Sequence, residues 1–193
     1  MGKRKASLAH LPLSWNGATW PFRGPLDFLG SDGGGGVGAG PGLGVGAALA
    51  LRDRGITTIA ICGDGDFLMG ATALWTAVHY RIPLLVVVTN NRSYWNDEVH
   101  QERVARARKR PVANKWIGQR IDEPAVDLAA IGRAQGTVGY GPIGTRAALD
   151  KALARALVDV DAGMVAVVDV RVIGGATPAS APRAPASTPA RKR

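Results

Sequence analysis

Two apolar runs stand out along the chain. Ile56-Thr57-Thr58-Ile59-Ala60-Ile61-Cys62 and Leu84-Leu85-Val86-Val87-Val88-Thr89 are rich in β-branched residues and lack the polar alternation of a half-exposed strand. Such runs predict strands buried on both faces, the signature of a parallel sheet. Met164 to Val172, again rich in Val, predicts a last core strand, and Thr137 to Tyr140 a short one. Helical spacing falls at Gly42–Arg54, a small-residue segment, at Phe67–Tyr80, stopped by the following Pro83, and at Pro124–Gln135 and Arg146–Asp159. Arg92 to Arg120 reads as irregular or partly helical. The first 25 residues carry Pro12, Pro21 and Pro25 with Trp15 and Trp20 but no periodicity, which predicts an extended arm.

Between the two apolar runs the lengths match. A helix over 67–80 covers about 21 Å at about 1.5 Å per residue, and a strand of six or seven residues covers about 20 to 23 Å. The helix therefore carries the chain back to where the first strand began, by a right-handed crossover, and both strands end on one edge of the sheet. The expected architecture is a three-layer α/β domain over 26–173 with a mainly parallel sheet. From Gly174 onward, ATPASAPRAPASTPARKR is a Pro/Ala-rich basic tail whose composition cannot bury enough apolar surface to order itself.

Charge alters this picture little. The formal net charge of +9 suggests acidic partners at first sight, yet seven of the 24 basic residues (Lys3, Arg4, Lys5, Arg183, Arg191, Lys192, Arg193) lie near the termini. The body is close to neutral, and the run Arg103, Arg106, Arg108, Lys109, Arg110 has no interleaved aromatics, so a solvated face is expected there and no nucleic-acid partner. Cys62 is the sole cysteine, which fits a small buried hydrophobe in a reducing compartment. With no signal-like apolar stretch at the start and no run long enough to span a bilayer, a cytoplasmic location is expected.

Candidate chemistry sits at the two strand ends. Gly63-Asp64-Gly65 follows the first run and Asn90-Asn91 the second, 24 residues on. A diphosphate carries more negative charge than the roughly half charge of a helix N-terminus can balance, so a divalent cation is wanted as well. Mg²⁺ takes hard oxygen ligands: a carboxylate from Asp64, a carboxamide oxygen from the asparagines, a backbone carbonyl from the turn beyond. Gly63 and Gly65 would let a phosphate approach the backbone with no Cβ in the way.

This paired motif resembles the signature of the thiamine diphosphate-dependent enzymes, in their C-terminal diphosphate-binding domain. The upstream SDGGGGVGAGPGLGVGAALAL and the stretch ICGDGDFLMGATALWTAVHYRIPLLVVVTNN resemble the acetolactate synthase and 2-oxo acid decarboxylase branch. The resemblance spans Leu11 to Val172. It implies thiamine diphosphate and Mg²⁺ as cofactors, with Asp64, Asn91 and the Ser93 carbonyl as metal ligands. The cofactor-binding set it implies is Val37, Gly38, Gly63, Asp64, Gly65, Asp66, Asn91 and Ser93, with Val37 under the bent cofactor. A reaction-facing acid about six residues after the Asn pair directs attention to Asp97, Glu98 and His100 as substrate-contacting candidates, each of which reads equally as solvated surface.

The resemblance also implies something missing. In this family the glutamate that activates the aminopyrimidine lies in a separate pyrimidine-binding domain, and Glu98, Glu102 and Glu123 have no suitable context for that role. The expectation is therefore half of an active site for a 2-oxo acid or aldehyde substrate, completed by a domain from another chain or a missing N-terminal region in a homo- or hetero-oligomer. A catalytically silent cofactor-binding or association module is the alternative. A third reading, nicotinamide binding, rests on Gly42-Leu43-Gly44-Val45-Gly46-Ala47; glycine, rather than the strand this fingerprint needs, precedes it, and Asn90-Asn91 is left unexplained.

Overall fold

The computed structural model describes residues 5–12, 15–30 and 36–173. The expected tail from Gly174 and residues 31–35, within the glycine-rich SDGGGGVGAG stretch, lie outside them. Five strands form one sheet in the order β1 (Ala6–His10), β2 (Thr57–Gly63), β3 (Leu84–Asn90), β5 (Val165–Arg171), β4 (Val138–Ile143). All four pairings are parallel.

Helices cover both faces. The side chains of Ala60, Cys62, Leu84, Val86, Val88, Val165 and Val167 pack with α1 (Ala39–Leu51), α2 (Asp64–Gly70), α3 (Ala73–His79) and α5 (Leu128–Ala134). The alternate set, Leu85, Ala166 and Val168, meets Ala152, Ala156 and Val160 of α6 (Arg146–Asp161) on the other face. This is the expected three-layer α/β arrangement. Fully buried Phe67 and Leu74 each contribute about 1.5–3 kcal/mol by leaving water.

Two expectations change in detail, and a third, the partly helical stretch after β3, becomes specific. The segment read as an unpatterned arm supplies β1, which pairs with β2 from Ala6↔Thr57 to Leu8↔Ile59, then shifts register so that His10 partners Ala60. Five residues at a sheet edge are too short a run to announce themselves by periodicity. The helix expected over 67–80 is two helices, α2 and α3, with a turn at Ala71-Thr72. Gly70 sits at the break, where a Cβ would meet the Gly38 carbonyl oxygen at 2.3 Å, so α1 crosses α2 at backbone contact. Finally, the polar stretch after β3 is helical through its first half, as α4 (Trp95–Ala107). Its basic run is partly ion-paired: Glu102 holds Arg106 at 2.8 Å and Lys115 on the segment beyond.

Candidate functional site

The C-terminal ends of β2 and β3 lie side by side, with Gly63 in register with Thr89 and Thr89 Oγ1 donating to the Cys62 carbonyl at 3.0 Å. From this shared edge the two motifs project. The helix begins three residues earlier than the apolar pattern suggests: Gly63 is its N-cap and Asp64 its first residue. Asp64 Oδ1 accepts from the Gly65 amide at 2.9 Å, so the motif's own carboxylate satisfies one of the free N–H groups of the first turn.

One amide gathers the rest. The Ser93 N–H donates to Asp64 Oδ2 at 3.0 Å and to Asn91 Oδ1 at 2.9 Å, drawing oxygens from two different strand ends around one point. Asp64 is 3% exposed. Burial raises its pKa, against the amides of Gly65, Ser93 and Arg92, which favour the charged form. A buried carboxylate beside a carboxamide oxygen is a donor set that suits a small hard cation, and such a cation would offset the desolvation.

Asn90 has a different task from Asn91. Its Nδ2 donates to Asp169 Oδ1 at 2.9 Å, while its Oδ1 accepts from the Arg92 amide and from Arg171 Nη1, both at 3.2 Å. It is a buried strut between β3 and β5 that fixes the turn on which Asn91 and Ser93 stand.

The glycines divide as well. Nothing lies within 4 Å of a Cβ built at Gly63, which leaves open space there. At Gly65 the space is taken: a Cβ would fall 2.1 Å from Tyr94 Cε1. The phenol of Tyr94 has a raised pKa, through burial first and then the nearby Asp64 and Asp97 carboxylates. Tyr94 is a site residue that motif reading misses, because an aromatic after a turn carries no spacing signal.

Upstream, Val37 is half exposed beside Gly38, the N-cap of α1, whose φ of 100° favours glycine. Asp66 turns away from Asp64: its Oδ1 accepts from the amides of Gly38 at 2.7 Å and Gly40 at 3.2 Å, tying the start of α1 to α2. Burial works against that charge, but His10 and the two glycine amides outweigh it and leave the pKa lowered.

The three candidates on α4 part company. Asp97 and His100 are exposed, whereas Glu98 is fully buried. Ser93 Oγ donates to Glu98 Oε1, and Arg120 Nε reaches the same oxygen at 2.7 Å. Arg120 arrives on a segment that pairs with the site turn, through a bridge to Ser93 and the Tyr94 N–H···Gln119 O and Ile121 N–H···Arg92 O bonds, at 2.9 and 2.8 Å. Glu98 thus braces the Ser93 turn from beneath. Nothing in the sequence around it marks it as an inward-facing acid.

The fold has solved counterparts. A thiamine diphosphate-dependent 4-hydroxybenzoylformate decarboxylase from Rhodococcus jostii is 28% identical, with a TM-score of 0.57 over 73% of this chain and 24% of its own. A putative thiamin diphosphate-dependent enzyme isolated from Mycobacterium smegmatis is 26% identical, with a TM-score of 0.56 over 78% of this chain and 25% of its own. Benzoylformate decarboxylase from Polynucleobacter necessarius, 22% identical with a TM-score of 0.62 over 81% and 27%, shares the fold. The chain spans about a quarter of the length of each. No curated protein matches it. Residues 13–170 match the family described as "Thiamine pyrophosphate enzyme, C-terminal TPP binding domain", and over that span the chain belongs to it.

Proposed function

We propose that this domain holds thiamine diphosphate through Mg²⁺ as one half of a carboligase or decarboxylase acting on 2-oxo acids, in the acetolactate synthase-like manner read from the sequence. The observation that carries the metal assignment is the shared Ser93 amide, which brings Asp64 Oδ2 and Asn91 Oδ1 together. Asp64, Asn91 and the Ser93 carbonyl would hold the cation, and the open approach at Gly63 would admit the diphosphate. Val37, half exposed, would lie under the cofactor. Bound thiamine diphosphate supplies a carbon nucleophile and an electron sink. The residues around the site anchor and orient it: Asn90 and Asp169 fix the turn, Glu98 and Arg120 brace it, and Asp66 sets α1 against α2. With Glu98 committed to Ser93 and Arg120, and Asp97 and His100 exposed, proton transfer at the pyrimidine would come from a pyrimidine-binding domain of another chain or another part of a longer one.

Calorimetric titration of the full chain with thiamine diphosphate, with and without Mg²⁺, tests this directly. Asp64→Ala should abolish the Mg²⁺-dependent binding with the circular dichroism unchanged; undiminished affinity would refute the assignment. Pyruvate consumption with and without a matching pyrimidine domain separates a working half-site from a silent module. No turnover with a matching partner favours the silent module.

A further inference from the structure

Three side chains that could ligate a metal converge away from the Asp64–Asn91 pair. His10 ends β1, Cys62 lies one residue before the end of β2, and Asp66 is in the first turn of α2. Their ligand atoms all lie within 4.8 Å of one another, with His10 Nε2 and Asp66 Oδ2 3.1 Å apart.

The convergence is built by a sheet irregularity. In regular pairing after Leu8↔Ile59, His10 would stand opposite Ile61 and point to the α6 face. The register shift between Leu8 and His10 instead places His10 opposite Ala60, because one extra residue flips the side chain to the other face. Ala60 and Cys62 share that face. The α1 side is kept free of bulk at the same place: a Cβ on Gly40 would lie 2.1 Å from Asp66 Oδ2, 2.8 Å from Cys62 Sγ and 2.8 Å from His10 Cδ2.

The carboxylate is pre-aimed. Gly38 and Gly40 amides occupy Asp66 Oδ1, leaving Oδ2 closed to solvent and without a hydrogen-bond partner, with His10 Nε2 beside it at 3.1 Å. Cys62 is fully buried, while the His10 and Asp66 side chains keep 19% and 14% of their surface, so the cluster lies just beneath the surface.

We propose that His10 Nε2, Cys62 Sγ and Asp66 Oδ2 form a site for one thiophilic divalent cation of the Zn²⁺ class, separate from the Mg²⁺ site. Nitrogen, sulfur and oxygen in one set match Zn²⁺, and Mg²⁺, which wants oxygen throughout, does not compete. Tetrahedral bonds of about 2.0–2.3 Å put neighbouring ligands about 3.3–3.7 Å apart, so the His10–Asp66 spacing is nearly right and the widest pair must close by about 1 Å. Binding displaces the thiol proton of Cys62 to solvent and leaves a fourth position for water. The site joins the edge strand to β2 and α2.

The test is a Co²⁺ titration of the full chain in excess Mg²⁺, read by thiolate-to-cobalt charge-transfer absorbance. One equivalent per chain should give the band, Zn²⁺ should bleach it, and Asp64→Ala should keep it. Cys62→Ser and His10→Asn should each lose it; His10→Asn, at a partly exposed position, serves if the core variant does not fold. No band in the parent chain, a band of full amplitude and affinity in His10→Asn, or a band lost with Asp64 overturns the proposal.

Discussion

The Ser93 amide and the Asp64 carboxylate, 3.0 Å apart, join the ends of two strands with a bond that asks only for an acceptor, not for a charge. The stability and ligand-binding roles of Asp64 are therefore separable. Asp64→Asn keeps an acceptor for Ser93, gives up the second oxygen that accepts from the Gly65 amide, and removes a carboxylate whose pKa burial raises. The loss and the gain oppose each other, so in the absence of metal its thermal midpoint at neutral pH should stay close to the parent's. Mg²⁺-dependent thiamine diphosphate affinity should fall by more than the about 10–100-fold that loss of a supporting contact costs. Thermal unfolding with and without ligand checks both, and a lower apo midpoint with unchanged affinity would reverse the assignment.

Gly65→Ala should act through Tyr94. The added methyl meets a ring that cannot be passed, at a cost of about 1–3 kcal/mol if the ring is forced aside. Chemical denaturation should show that loss, and the double variant Gly65→Ala/Tyr94→Ala should recover most of it. Equal instability of the single and double variants would mean that Gly65 matters for another reason.

Glu98→Ala removes the acceptor shared by Ser93 and Arg120. A hydrogen bond to a charged group is worth about 1.5–3 kcal/mol. Because Arg120 is nearly half exposed and can be rehydrated, a loss toward the lower end is expected in urea unfolding. Cofactor affinity should fall with it, as the Ser93 turn loosens. Glu98→Gln, which still accepts from Ser93, should restore most of the affinity. If Glu98 faced substrate instead, cofactor binding would be unaffected in both variants.

These cases show where sequence reading reaches and where it stops. The two central strands and the Gly-Asp-Gly and Asn-Asn pair were legible because each is local: β-branched runs, then turn residues at a fixed spacing. Glu98 was legible only as an acid near the motif, since its burial depends on Arg120 returning from 22 residues further on. Asp66 reads as a neighbour of Asp64, but its direction is set by Gly38 and Gly40, 28 and 26 residues upstream. His10 sits in a segment without periodicity, and its facing depends on a register shift that no composition signals.

Asp169 gives a pH-dependent prediction. Burial raises its pKa above the ordinary 3.8, against the Asn90 hydrogen bond and Arg171. The folded state then binds the proton more tightly than the unfolded chain. The resulting stability is fully present below the unfolded value and is lost as pH rises through the folded one. Asp169→Asn removes that titration, so the stability of the variant relative to the parent should climb as pH is raised from about 4. Parallel stability curves from pH 3 to 8 would show that Asp169 does not titrate as described.

Because all four strand pairings are parallel, no piece of the site can assemble from a local hairpin. Asp64, Asn91, Arg120 and Asp169 come together only after long stretches of chain have been closed, and long-range pairing of this kind makes folding slow. A half-folded chain thus has no partial pocket for the cofactor to grip. Ligand should therefore leave the refolding rate nearly unchanged and appear mainly as slower unfolding, through its affinity for the finished state alone.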